Sequence, residues 1–386
     1  MQTPHRWFGA GHSTAPDSAK AGAEAAAAAI GGRTPAVVFV FCSIQHDLPA
    51  LLLAVRAEAG EEATVVGATT LGELAYDGAS VGGVAVTALG GDGFTVRTGV
   101  GHIGDAGARE AGAAAAAAMG GTAGAHSVLI MLGDGRVADP HEVVRGAYSV
   151  LGAAVPLVGG FAGDDQGQQQ TYQFVDETIF EHAVIGVALA SDAPIGIGVA
   201  HGWHRLDPPM IVTRSSGGRI YELDDEPALD VLLRRARLDG AISAELFHGT
   251  AAPLAIGLSR RSGEDMRVLN GGDDEDRSVW GTADVPQGAL CWLMEADHDA
   301  LIEGAVESCT EALEALGGKT PLGVMAFDCG ARRTKLGAEG IEDEAQAIRT
   351  VLGSTPFAGF YSSAEIARVR GALGTHHLTL VTLALS

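Results

Sequence analysis

The chain has 386 residues and carries 25 Lys and Arg against 48 Asp and Glu, which gives a formal net charge of −23. A charge of that sign repels phosphate backbones and anionic head groups, so it argues against nucleic acid and membrane surfaces as partners. Hydrophobic residues make up 47% of the chain, enough for a buried core, and a prior of about 150 residues per domain predicts two or three domains.

The cysteines and the apolar segments indicate the compartment. Four cysteines form no CxxC pair and are too sparse for a disulfide framework, which is typical of a reducing compartment. The N-terminal segment lacks the apolar core of a signal peptide. The best apolar run, residues 35–44, has about half of the ~20 residues that a membrane span needs. The sequence therefore predicts a cytoplasmic protein without membrane insertion.

One plan occurs three times along the chain. An apolar strand is followed by a helix, then by a second apolar strand that runs into a glycine-bearing loop, and then by a further strand. The loop glycines are Gly67, Gly159 and Gly359. Either one structural unit recurs, or the alternation common to many α/β proteins produces the pattern by coincidence.

A different stretch, which begins at Trp203, separates the second and third repeats. Asp224 and Asp225 are predicted to open a helix there, with Pro227 in its first turn, because such residues are frequent at helix starts. Further along, short neighbouring segments such as 263–268 and 270–276 predict antiparallel hairpins, so mixed sheets are expected.

These elements define a fold class. Continuous apolar runs between helices are typical of strands that are buried on both faces. The sequence predicts an α/β fold: a two-domain layered fold with mixed, mostly buried sheets flanked by helices, built from repeated strand–helix–strand–strand units. We place the domain boundary near Trp203, so that the domains cover residues 1–202 and 203–386.

Two segments resemble nucleotide-binding motifs but lack a glycine that each motif requires. The run GGKT at 317–320 ends a predicted helix and has Leu313 where a P-loop needs a glycine. The run GIGVAH at 196–201 has His201 in place of the third glycine of a dinucleotide fingerprint.

The three glycine loops hold most of the polar side chains that could do chemistry. The segments 67–73, 159–165 and 359–365 carry hydroxyls and carboxylates at the carboxyl ends of predicted strands, where open α/β sheets bind ligands. A plainer interpretation is open as well. The loops would then be tight turns in which Thr or Ser caps a following helix and Glu completes a capping box.

Four segments together resemble the FIST family, named for F-box and intracellular signal transduction proteins. They are VVGATTLGE at 65–73, PLVGGFAGDD at 156–165, FDCGARR from 327 and PFAGFYSSAEIAR ending at 368. The resemblance implies N-terminal and C-terminal FIST domains over nearly the whole chain. It also implies a sensory module that binds a small ligand, with amino acids or their derivatives suggested. The family loop GFYxxGEI reads GFYSSAEI here, so Ala364 replaces a glycine and the loop shape is expected to differ.

Carried over onto matching positions, the resemblance implies a ligand pocket drawn from both halves of the chain. The pocket residues would be Thr69, Thr70, Glu73, Phe161, Asp164, Asp165, Asp328, Cys329, Arg332, Phe360, Tyr361 and Glu365. This set suits a small zwitterion. No cofactor is expected, and because the chain shows no kinase, methyl-accepting or F-box segment, signalling through a separate protein is expected.

Each proposed contact has a structural alternative. Arg332 could hold a ligand carboxylate through two parallel hydrogen bonds, or form a surface ion pair. Glu73, Glu365 or Asp165 could hold an ammonium group. The aromatic residues of the set could line an apolar side chain of the ligand, or only pack in the core.

Three other functions are open from the sequence, and one of them is an interaction scaffold that binds a partner but has no ligand pocket. A cysteine-dependent enzyme that acts on a small amide or amino-acid-like substrate would use Cys42 or Cys329 as nucleophile and His46, His376 or His377 as base, although cysteine is often only a small buried residue. A haem-binding gas sensor would use some of the 13 histidines. The adjacent pair at 376–377 is a poor chelate, since neighbouring residues of a strand point to opposite faces.

Overall fold

A computed structural model describes residues 6–122, 124–167, 169–237, 254–260, 263–368 and 374–386. Within these residues the chain forms three six-stranded sheets and one seven-stranded sheet, with helices packed against them. The predicted α/β fold with mixed sheets and repeated units is therefore confirmed. None of the described helices is long and apolar enough to cross a bilayer.

The first two units have the same order of elements. The first contains β1 (Trp7–Ser13), α1 (Ser18–Ile30), β2 (Val37–Cys42), α2 (Leu48–Ala59), β3 (Thr64–Thr69), β4 (Glu73–Ala75), β5 (Gly78–Ser80) and β6 (Val84–Gly90). The second contains β7 (Phe94–His102), α3 (Ala108–Ala116), β8 (His126–Gly133), α4 (Pro140–Leu151), β9 (Leu157–Phe161), β10 (Gln173–Val175), β11 (Thr178–Phe180) and β12 (Ala183–Ser191). Each unit thus has an additional first strand and helix, and a hairpin, beyond the predicted plan.

The third unit is interrupted after its first strand. Its elements are β13 (Ile195–Ala200), α6 (His298–Glu314), β21 (Gly323–Cys329), α7 (Gly330–Leu352), β22 (Phe357–Ser362), β23 (Glu365–Arg368), β24 (Gly374–His376) and β25 (Leu380–Leu385). The insertion contains β14 (His204–Ser216), β15 (Arg219–Leu223), β16 (Glu226–Pro227), α5 (Ala228–Arg235), β17 (Ala255–Arg260), β18 (Gly263–Gly272), β19 (Val279–Gly281) and β20 (Leu290–Glu295). These inserted strands form the seven-stranded sheet.

The predicted start of the inserted helix is wrong. Asp224 and Asp225 form a left-handed turn, with φ of 52° and 64°, between β15 and β16. The helix α5 begins only at Ala228, and Pro227 precedes it without a side-chain cap. Aspartate tolerates left-handed backbone, so it serves tight turns as well as helix caps.

The three units exchange hairpins in a cycle. The β4–β5 hairpin of the first unit pairs with β22 of the third, the β10–β11 hairpin of the second pairs with β3 of the first, and the β23–β24 hairpin of the third pairs with β9 of the second. In each sheet the two central strands, β2–β3, β8–β9 or β21–β22, run parallel and their other neighbours run antiparallel. Two of the sheets therefore contain strands from both sides of Trp203, where the domain boundary is placed. This boundary stays a prediction.

The glycines predicted in loops lie inside strands. Gly67, Gly159 and Gly359 are buried residues of β3, β9 and β22. A Cβ atom at these positions would lie 1.9, 2.0 and 1.7 Å from a carbonyl oxygen of the neighbouring parallel strand. The units need glycine there because another backbone approaches closely, and not because the chain turns.

All three sheets face one apolar core. Its members include Phe39, Ile130, Leu132, Phe327 and Leu383, which are fully buried. Phe41 of the first unit stacks on Phe360 of the third with ring centroids 4.6 Å apart. Side chains thus fill the space between the three units.

Candidate functional site

The three predicted loops meet at the carboxyl ends of the parallel strand pairs. Three backbone hydrogen bonds link them in a ring: Leu71 N donates to Tyr361 O (2.8 Å), Gly163 N to Thr69 O (2.8 Å), and Ser363 N to Phe161 O (3.1 Å). A Cβ atom on Gly163 would lie 2.5 Å from Leu71 Cγ. The loops are therefore brought together as expected, but they are packed against each other at the point where they meet.

Glu73 is buried in the first of these loops and accepts hydrogen bonds from three groups. Thr70 Oγ1 donates to its Oε1 (2.6 Å), and Ser80 Oγ (2.8 Å) and Gly83 N (2.7 Å) donate to its Oε2. Burial raises the pKa of Glu73 to about 7. A strand follows the loop, so the capping-box interpretation is wrong.

Glu365 has the same arrangement in the third loop. Ser362 Oγ donates to its Oε1 (2.9 Å), and Thr379 donates to its Oε2 from both N (3.3 Å) and Oγ1 (3.0 Å). Burial raises the pKa of Glu365 to about 8. Gln173 begins the exchanged hairpin of the second unit, as Glu73 and Glu365 begin theirs. Its place was not predictable from the pattern of the other two loops, because its spacing from the loop glycine differs.

Arg332 is fully buried and its donors are used within the protein. Nε donates to Asp328 Oδ1 (2.7 Å), Nη1 to the carbonyl of His201 (2.7 Å), and Nη2 to Leu301 O (3.0 Å) and Glu344 Oε1 (2.6 Å). These contacts are those of a structural residue that joins β21, α6 and α7. The ion pairs of Arg332 with Asp328 and Glu344 are fully buried, so the surface ion pair of the structural alternative is wrong.

The other predicted residues divide between core and loop. Phe360 packs in the central core, and the Tyr361 hydroxyl donates to Glu344 Oε2 (2.7 Å). Asp165 Oδ1 accepts from Ser43 Oγ (2.9 Å) and Ile44 N (3.3 Å). Backbone amides donate to Asp164, and Tyr172 N donates to Thr69 Oγ1 (3.0 Å). Many of the polar groups that were predicted to contact a ligand therefore have hydrogen-bond partners within the protein.

The two candidate nucleophilic thiols are buried. Burial raises the pKa of Cys42, and Glu73 and Asp165 raise it further. Burial, followed by the charge of Glu365, raises the pKa of Cys329. A nucleophilic cysteine needs the opposite environment, one that favours the thiolate.

A cavity of about 570 Å³ lies where the insertion meets the third unit. It is lined by Ile197, Val199, Ala200, His201, Gly202, Trp203, Glu264, Met266, Glu307, Glu311, Ala367, His376 and Thr379. Two of the predicted pocket residues support its wall from behind: Glu365 binds the Thr379 side chain, and Arg332 binds the carbonyl of His201. No local sequence pattern indicates this cavity, because its walls come from segments that are distant in the chain.

The lining is rich in carboxylates and has one aromatic wall. Glu307 and Glu311 are exposed on α6, and Glu264 of the insertion forms an ion pair with Arg205. Trp203 is buried, and its indole nitrogen has no hydrogen-bond partner among the described residues. Burial lowers the pKa values of His201 and His376 from their usual value. Such a lining attracts cations, and it opposes the propionates of a haem.

The fold is that of a mixed α/β protein with three hairpin-exchanging units and one inserted sheet. The chain belongs to the FIST family: residues 36–226 match the FIST N domain and residues 228–368 match the FIST C domain. FIST domains are sensory domains associated with signalling.

Relatives occur in mycobacteria. The uncharacterized protein Rv0628c of Mycobacterium tuberculosis is 27% identical over 391 residues, which cover 96% of this chain and 97% of the relative. The uncharacterized protein Mb0898c of Mycobacterium bovis is 26% identical over 58% of each chain.

Two solved structures show a weaker likeness. A cyanuric acid hydrolase aligns over the full length of both chains with a TM-score of 0.37 and 11% identity, and a chorismatase aligns over the full length with a TM-score of 0.36 and 9% identity. Scores this low support no inference about activity.

Proposed function

We propose that this protein is a sensory protein that binds a small amine-bearing metabolite, such as an amino acid or a derivative of one, in the cavity between the insertion and the third unit. The observation that carries the proposal is the lining of this cavity, which combines three glutamates with a buried tryptophan. Its volume of about 570 Å³ falls within the ~300–1,000 Å³ that is usual for small-molecule sites.

The lining suits an ammonium group attached to an apolar part. Glu307 and Glu311 would attract the ammonium group to the mouth of the cavity, and Glu264 lies on the opposite wall. The Trp203 ring, over which Lys335 Nζ already lies at 6.0 Å from the centroid, would give the ligand an apolar contact, and its N–H would donate to a carbonyl or carboxylate oxygen. Met266 and Val199 would contact an aliphatic side chain of the ligand.

The position of the cavity suits a sensor. Glu264 and Met266 belong to β18 of the insertion, whereas Val199 belongs to β13 and Glu307 to α6 of the third unit. A bound ligand would therefore bridge the insertion and the three-unit body, and would favour arrangements in which both walls can contact it. A separate signalling protein that recognises this arrangement would complete the pathway.

Thermal unfolding in the presence of small molecules tests the proposal. The panel contains the amino acids, their amides and the corresponding decarboxylated amines, because a ligand that binds only the folded state raises the unfolding temperature. We expect at least one amine to stabilise the protein, and we expect Glu307→Gln and Trp203→Phe to weaken its binding about five- to tenfold.

Glu314→Gln is the matched control for the charge change. Glu314 lies on the same helix as Glu307 but does not line the cavity. The control should bind the amine as the wild type does. The proposal fails if no amine stabilises the protein, or if the control weakens binding as much as Glu307→Gln does.

A further inference from the structure

A second, smaller cavity of about 240 Å³ lies on the other side of the turn between β24 and β25. Its lining residues are Gly135, Val137, Ala138, Pro140, Phe161, Asn270, Thr282, Ser363, Ala364 and His377. They come from the second unit, from the residues that flank the β23–β24 hairpin of the third unit, and from the insertion. The site does not overlap the amine cavity: His377 lines the small cavity, whereas Thr379, two residues further on, lines the large one.

Two polar side chains of this lining have unused hydrogen-bonding atoms. His377 is 4% exposed, and its Nε2 has no hydrogen-bond partner in the part of the chain that the structure describes. The same holds for Oγ1 of Thr282. A buried polar atom without a partner is destabilising, so two of them in the lining of one cavity point to a molecule that pairs with both.

The lining has no charged side chain. His377 is neutral at physiological pH because burial and the nearby Arg267 lower its pKa to about 3. Arg267 itself forms a two-point ion pair with Asp265, which balances the charge of both groups. A carboxylate in the cavity would contact no cation of the lining, and an ammonium group would contact no anion.

We propose that this second cavity binds a small uncharged carboxamide whose amide group pairs with His377 and Thr282. An amide offers both an N–H donor and a carbonyl acceptor, so it can pair with either tautomer of the histidine and with the threonine hydroxyl. The apolar part of the ligand packs against Phe161 and Val137. The cavity has room for more than one water, whose share of liquid volume is about 30 Å³.

Ala364 limits the size of this ligand. It is buried in the wall of the cavity, directly after Ser363. Its methyl group occupies space that a glycine would leave open. A larger side chain at this position would reduce the volume further.

Calorimetric titration with three probes of one shape tests the proposal: benzamide, benzoate and benzylamine. We expect benzamide to bind the purified protein and the two charged analogues to bind at least tenfold more weakly at this site. Thr282→Val keeps the shape and removes the hydroxyl, so it should weaken benzamide binding about fivefold. Val137→Phe should fill the cavity and abolish binding.

The controls separate this proposal from the amine site. Thr178→Val makes the same chemical change on an exposed residue of β11 and should leave benzamide binding unchanged. Glu307→Gln should also leave it unchanged, whereas Thr282→Val should leave amine binding unchanged. The proposal is overturned if benzamide does not bind the wild type, or if it binds Thr282→Val and Val137→Phe as tightly as it binds the wild type.

Discussion

Glu73 and Glu365 occupy equivalent places in the first and third units. Each is the first residue of a hairpin that pairs with the sheet of another unit, and each accepts a hydrogen bond from a hydroxyl three residues earlier, Thr70 or Ser362. Each also accepts from the backbone amide just before the last strand of its own unit, Gly83 or Thr379. The buried carboxyl groups therefore hold the exchanged hairpins to the units from which they come.

The burial of Glu73 and Glu365 predicts that the stability of the protein depends on pH. The pKa values of Glu73 and Glu365 in the folded state, about 7 and about 8, exceed the ordinary value of 4.5. Between pH 4.5 and these values, the folded state therefore keeps protons that the unfolded chain has released. The contribution is complete below pH ~4.5 and is lost as the pH rises through the folded pKa values, with a slope of up to about 1.4 kcal/mol per pH unit for each group.

Denaturant unfolding between pH 5 and 8.5 measures this slope. Glu73→Gln and Glu365→Gln should each flatten it, because glutamine resembles the protonated acid and does not titrate. The surface variant Glu61→Gln should keep the wild-type slope. An unchanged slope in both buried variants would contradict the assignment.

The strand glycines are expected to be intolerant of side chains. Gly359→Ala places a Cβ atom 1.7 Å from the carbonyl oxygen of Ala326, so the parallel pair β21–β22 must separate. We expect a loss of about 3 kcal/mol or more, or failure to fold. Gly104→Ala is the control, since nothing lies within 4 Å of its added Cβ atom. Equal unfolding midpoints for the two variants would show that the close approach is absent.

Arg332 is expected to act on stability without any ligand. Arg332→Met leaves Asp328 and Glu344 buried without their cation, which should cost about 3–5 kcal/mol in the free energy of unfolding. Adding Asp328→Asn and Glu344→Gln should restore much of the loss. If Arg332→Met instead unfolds like the wild type and only loses amine binding, Arg332 is a ligand contact and not a structural residue.

The four cysteines are expected to be unreactive in the folded protein. All are buried, and burial raises the pKa values of Cys291 and Cys309 to about 12. A thiol reagent at neutral pH should therefore modify them only at the rate of unfolding, and all four after denaturation. A cysteine that reacts rapidly in the native protein would revive the cysteine-enzyme alternative.

The sequence was informative about local elements and about the family. Continuous apolar runs located β2, β8 and β21 of the units, whereas the aspartates predicted to open the inserted helix, Asp224 and Asp225, form a turn instead. It was less informative about the site. The side chains expected to bind a ligand, Arg332 and Tyr361, instead share Glu344 as a partner. Arg332 also binds the carbonyls of His201 and Leu301 in distant segments, and a single sequence does not show which of these groups a buried side chain will contact.

The amino-acid sequence by itself determined that this is a mixed α/β protein that resembles the FIST family, because strand hydrophobicity and loop motifs are local properties of the chain. Only the tertiary structure decided that the units exchange hairpins and that the predicted loops are packed against each other. It also decided that the cavities lie against the insertion. The physical reason is that a carboxylate or an arginine can be satisfied either by a ligand or by a distant residue, and only the packing of the whole chain shows which partner is within reach.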